Sequence, residues 1–240
     1  MPSVKTKKAN PWLDGFLFLL YPDTCINCKK VLNQYENYLC RKCINKLPLT
    51  RFELRKDNPV AQTFWGRIPI NFATSVYHYR KGETLQKLIS RLKYQNTPKI
   101  GIALGQLAGK VLIKTQIQPE INYLIPVPLH PKRKHQRGYN QCEMIANGIS
   151  TILNIPVETT LLKRHILNPS QTKKGRYERW ENVEGIFKVS GNSKPLYNKH
   201  ILIIDDIITT GATLEACCSA LTKIPGVTIS VLTIGYANRY

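Results

Sequence analysis

Acidic side chains are scarce in this chain: its 240 residues carry 15 Asp and Glu against 35 Lys and Arg, for a formal net charge of +20 and a pI near 9.8. Such a surplus does not shape a fold. It draws polyanions by long-range steering, which leaves nucleic acid, phosphorylated metabolites and anionic membrane surfaces open as partners; an AT-rich genome gives the same totals with no such partner. Long apolar runs are missing as well. The stretch "WLDGFLFLLYP", residues 12 to 22, is broken by Asp14 and Gly15. It is too short to cross a bilayer and is followed by no small-residue cleavage site, so the expectation is a cytoplasmic protein with no membrane span and a short helix that docks on its own body or on a partner. There is no internal repeat and no low-complexity tract. No H-x-x-H and no nucleophile elbow occurs, so His78, His130, His135, His165 and His200 form no evident site, although His130 lies close to a basic loop. The seven cysteines are an odd number, which together with a cytoplasmic location argues against a disulfide framework.

What is present divides unevenly. Residues 1–50 hold the apolar helix candidate and four cysteines, and 51–71 read as a polar connector. From Phe72 to the end, 72–240, the periodicity is that of an α/β domain. "FATSVYHY" reads as a strand, and "ETLQKLISRLKY" places Leu85, Leu88, Ile89 and Leu92 on one helical face. "GIALGQLAGKVLIK" and "CEMIANGISTIL" read as further helices. "INYLIPVP" is a strand that must end at Pro126 and Pro128, and "IPVETTLL" and "GIFKV" read as strands. "KHILIIDD" is apolar without alternation, the mark of a buried parallel strand. "TLEACCSALTKI" puts Leu214, Cys217, Leu221 and Ile224 on one stripe before the last strand, "VTISVLTIGYA". Strands alternating with helices predict a mostly parallel sheet with ligands at the carboxyl ends of its strands.

"IDDIITTGAT", residues 204 to 213, falls at such an end. Adjacent carboxylates repel, so Asp205 and Asp206 need partners. Backbone amides at the start of a helix, with a small glycine and threonine hydroxyls, hold a phosphate dianion. The acids can accept from vicinal hydroxyls of a ribose whose 5′-phosphate sits in that turn. A second element, "IPVPLHPKRKHQRGYNQ", ends a strand in a loop where Lys132, Arg133, Lys134 and Arg137 cluster. Cations so grouped can neutralise a diphosphate, though a basic run also suits a solvated surface. Cys25-x2-Cys28-x11-Cys40-x2-Cys43 provides four thiolates in two knuckles, a closed structural Zn²⁺ site that organises a segment too small for its own core, with an iron–sulfur or redox site as the alternative. Cys142, Cys217 and Cys218 read as buried, inert thiols.

Four apolar residues, two acids, two apolar residues and TTGAT resemble the phosphoribosyl pyrophosphate motif of type I phosphoribosyltransferases. That resemblance implies that Asp205 and Asp206 contact the ribose at the catalytic centre, that Thr209, Thr210, Gly211, Ala212 and Thr213 wrap the 5′-phosphate, and that Mg²⁺ accompanies the diphosphate. With "PVPLHPKRKHQRGYNQ", a downstream "PSQTKKGRYERWENVEGIF" and the upstream cysteine pairs, the chain resembles the ComF family of competence-associated proteins from about Leu19 to Ala237. The family implies a phosphoribosyltransferase-like domain behind a cysteine module, and a part in handling single-stranded DNA beside DNA-uptake proteins during natural transformation. By the same resemblance residues 164–182 are a flexible loop over the site, where Gln171, Arg176, Arg179 and Asn182 match the family pattern. Tyr177 and Trp180 lie among cations there, which suits base stacking or simple packing of the loop. Three readings stay open: a binding module for phosphoribosyl pyrophosphate and single-stranded DNA, a working transferase that moves ribose 5-phosphate to an amine or base with loss of pyrophosphate, and an adaptor with a vestigial site.

Overall fold

Apolar runs without alternation belong inside a parallel sheet. β1 (Ala73–His78), β2 (Tyr123–Pro126), β5 (His200–Ile208) and β6 (Thr228–Tyr236) form one, all parallel, in the order β1-β6-β5-β2. β3 (Leu162–Arg164) and β4 (Phe187–Val189) pair separately as an antiparallel ribbon. The computed structural model describes residues 22–36, 38–114, 121–165 and 185–238. These fall into two compact units, one ending at Lys46 and one beginning at Leu47.

In the first unit a tight turn links Cys25 to Lys30, whose carbonyl accepts from the Cys25 amide at 2.7 Å, and Thr24 bridges Val31. The short helix α1 (Arg41–Ile44) starts at the second knuckle, with Cys40 before it and Cys43 inside it.

The second unit holds the sheet and its helices: α2 (Pro59–Gln62), α3 (Thr84–Tyr94), α4 (Pro98–Ile113), α5 (Pro131–Arg137), α6 (Gln141–Leu153) and α7 (Ala212–Leu221). α3 buries Leu85, Leu88, Ile89 and Leu92, the stripe the sequence marks. α4 packs along α6, while α7 packs on β5 and β6. The fold is thus α/β, a parallel sheet flanked by helices.

Three segments differ from their sequence reading. Residues 51–71, read as a connector, fold onto the sheet unit. Asn58 caps α2 by accepting from the Val60 and Ala61 amides at 2.9 and 3.1 Å, while its own amide donates to the carbonyls of Arg55 and Ala73. Val60, Ala61 and Phe64 are buried as a result. The basic loop after β2 is a helix, α5, with Pro131 at its first turn and His130 accepting from the Lys132 amide at 3.2 Å. "IPVETTLL" yields one parallel bridge, Val157 to Leu124, in place of a strand. Pro156 has no amide to give, and the Glu158 carboxylate turns back to accept from the Thr160 hydroxyl and the Leu161 amide, which curls the chain off the sheet edge.

Candidate functional site

The register of the sheet puts the loops after β2 and β5 side by side. Pro126 pairs with Ile204, and the Val127 amide continues the ladder to the Ile204 carbonyl at 2.9 Å, so β2 ends just short of the two acids. Nothing past Pro128 can extend that strand, and the chain turns into α5. β5 runs on through Asp205 and Asp206 and then bends at 209–211 into α7. Gly211 makes that bend with φ +79°, and a Cβ there would lie 2.6 Å from Thr63 Cγ2. The position therefore needs glycine both for its backbone and for the close approach of the turn after α2.

Asp205 and the run from Ile207 to Leu214 line a shallow concavity at this end of the sheet. Thr209, Thr210, Ala212 and Thr213 are exposed around it, and the Thr210 hydroxyl accepts from the Ala212 amide at 3.3 Å. Asp206 is not part of that lining. It is 4% exposed and turns to α3, where Lys93 Nζ lies 2.8 Å from its Oδ1. Its Oδ2 has no hydrogen-bond partner among the described residues. Asp205, 9% exposed, accepts at Oδ1 from the Asp206 amide at 2.8 Å and from the Cys142 thiol of α6 at 3.2 Å.

Burial, and then the neighbouring Asp206 charge, push Asp205 up to about 7. The same burial and both carboxylates push the Cys142 thiol well above its ordinary range, so it stays protonated and can donate. Burial works against the Lys93 charge, but attraction to Asp206 and Asp205 outweighs it and holds the ammonium above its usual value. Arg164 of β3 also feels the Asp205 charge. Burial and the like charge of Arg133 depress it, and its guanidinium lies 5.4 Å from the Phe187 ring centre.

Of the cations expected to meet a diphosphate, Lys132 and Arg133 are exposed on α5. Lys134 pairs with Glu143 at 3.2 Å, and Arg137 donates to Gln141 and lies 6.0 Å from the centre of the Tyr94 ring. Gln171, Arg176, Arg179 and Asn182, with Tyr177 and Trp180, lie outside the described residues. Lys93 and Arg164 come to the acid pair without having been singled out as site residues in the sequence, and Cys142, read there as an inert buried thiol, donates to Asp205. Lys93 left one trace: it follows Leu85 and Ile89 at helical spacing, a charge on an otherwise buried stripe.

In the first unit Cys25, Cys28, Cys40 and Cys43 bring their sulfurs within 4.8 Å of one another, with Cys25 to Cys43 at 3.7 Å and Cys28 to Cys40 at 3.6 Å. The Cys25 sulfur also accepts from the Cys40 amide, and the Asn27 amide reaches Cys43. Four sulfurs so placed could hold a metal ion. No helix among the described residues is long and apolar enough to cross a membrane.

Comparison with known proteins gives a consistent set of relatives. No family model matches the chain. It is 30% identical over 209 residues to competence protein ComFC of Bacillus subtilis, covering 85% of this chain and 81% of that protein. It is 27% identical over 215 residues to competence protein F of Haemophilus influenzae, covering 83% and 91%. Among solved structures, glutamine phosphoribosylpyrophosphate amidotransferase of B. subtilis aligns over 59% of this chain and 30% of its own, at 15% identity and a TM-score of 0.39.

Proposed function

This chain belongs to the ComF family of competence proteins, and on that footing we propose that it binds phosphoribosyl pyrophosphate and handles single-stranded DNA in the cytoplasm during natural transformation, beside proteins of DNA uptake. The competence role comes from the names of the relatives. The sugar-phosphate site rests most on one observation: Asp205 and the 207–214 turn share a single concavity at the carboxyl end of β5. Amides and hydroxyls of that turn suit a monophosphate, Asp205 suits a ribose hydroxyl, and Lys132, Arg133, Lys134 and Arg137 stand on the adjoining helix to meet the diphosphate. Mg²⁺ enters with the diphosphate as part of the ligand.

For the cysteine unit we infer a structural Zn²⁺. Tetrahedral zinc with bonds of about 2.3 Å sets sulfurs about 3.8 Å apart, close to the 3.7 and 3.6 Å between the two sulfur pairs. Zinc bound there would hold the two knuckles together, and a site filled by four thiolates has no open position for chemistry.

Calorimetric titration with phosphoribosyl pyrophosphate and Mg²⁺ tests the central claim. Binding by the unaltered protein and its loss in Asp205→Asn/Asp206→Asn, with the circular dichroism spectrum unchanged, is the expected result; equal affinity in both would remove the site assignment. Pyrophosphate release with bases, amines or single-stranded DNA present would select the transferase reading over the binding module.

A further inference from the structure

Paired carboxylates are an unexpected lining for a site that takes an anion, yet the two acids are not placed alike. Asp205 lines the concavity, whereas Asp206 does not. Asp206 instead meets Lys93 at 2.8 Å, with the lysine side chain 23% exposed and the aspartate side chain 6%. The lysine side chain is therefore the more open of the two. Lys93 is outside that lining too, but its ammonium pairs with the residue next to Asp205, which does line it. Its backbone is fixed there because the Tyr139 hydroxyl donates to the Leu92 carbonyl, tying the last turn of α3 to the start of α6. A buried ion pair is weak evidence for stability, since well-packed apolar groups in its place often do as well. A pair whose partly exposed cation stands beside a candidate ligand site has another use.

We propose that Lys93 is a ligand-binding residue that contacts the diphosphate group of a phosphoribosyl diphosphate, and that Asp206 is a positioning residue that holds the Lys93 ammonium in place. The two acids then divide the work: Asp205 serves the sugar and Asp206 serves the lysine. This rests on reading residues 205–213 as a sugar-phosphate site, and goes beyond it by naming the cation and the part of the ligand it selects. A charge-assisted contact of this kind directs its effect to ligands that carry the diphosphate.

Two probes separate the roles: phosphoribosyl pyrophosphate with Mg²⁺, and ribose 5-phosphate, which lacks the diphosphate. In Lys93→Met, affinity for the first falls about 10- to 100-fold while affinity for the second changes less than about threefold. Lys93→Arg keeps the first within about fivefold, because a guanidinium can serve the same oxygens. Lys93→Met/Asp206→Asn removes the stranded carboxylate, so it folds even where Lys93→Met is weakened, and it binds no worse than Lys93→Met alone because the two residues act as one unit. Equal losses for both probes, or none, would overturn the assignment while leaving the site reading in place. An unaltered protein that binds neither probe would overturn the site reading and this assignment with it.

Discussion

Asp205 is kept out of water next to a second carboxylate, with Cys142, Asp206, Lys93, Arg164 and Cys217 among the titratable and charged groups around it. Burial and Asp206 raise it to about 7, far above its value in an unfolded chain. A carboxyl raised on folding binds more protons in the native state, so its contribution to stability is intact below about pH 4 and is lost as pH climbs to about 7. Asp205→Asn escapes that loss and keeps an oxygen for the Cys142 thiol. The variant is expected to be more stable than the unaltered protein by about 1–3 kcal/mol at pH 8 and by much less at pH 5. Urea unfolding at the two pH values measures this, and a variant no more stable at pH 8 would contradict it. A residue that weakens the fold points to a role other than stability. The acids and TTGAT were legible because strand, acid pair and glycine turn are contiguous. Lys93 and Cys142 were not, since they join Asp206 and Asp205 across 113 and 63 residues of chain.

At the level of elements, local signals were read well where periodicity was long and poorly where a single polar side chain decides. The stripe of α3 came out residue for residue. α5 was missed although Pro131, the capping His130 and Gly138 at its end are ordinary start and stop signals, because its surface is basic all round and shows no apolar period. α2 is set by Asn58, which is 2% exposed and ties Arg55, Val60, Ala61 and Ala73 together. Asn58→Ala takes the acceptor from two amides and the donor from three carbonyls, those of Phe52, Arg55 and Ala73, and should lower stability by about 1–3 kcal/mol in chemical unfolding. Because α2 leads into Thr63, which packs on Gly211, the same variant should weaken ribose 5-phosphate binding severalfold. A loss of stability with affinity untouched would mean that the turn after α2 does not shape the phosphate loop.

Over the whole molecule the surplus of 20 positive charges was legible from composition, but composition cannot say where it acts. Single-stranded DNA binding driven by that charge must release counterions, with a slope of log K against log salt of about −0.7 for each phosphate neutralised. Lys132 and Arg133 are the exposed cations of α5 with no carboxylate partner among the described residues. If DNA crosses α5, Lys132→Gln/Arg133→Gln should flatten the slope by about 1.4, two contacts' worth, and weaken binding evenly across sequences. If those residues serve the diphosphate alone, the slope stays the same and only phosphoribosyl pyrophosphate affinity falls. Fluorescence anisotropy of a labelled oligothymidylate between 50 and 300 mM salt, beside calorimetry with the sugar diphosphate, reads both quantities on one variant. A slope already near zero in the unaltered protein would remove charge as the basis of any DNA role, because an electrostatic contact cannot be indifferent to the ions it displaces.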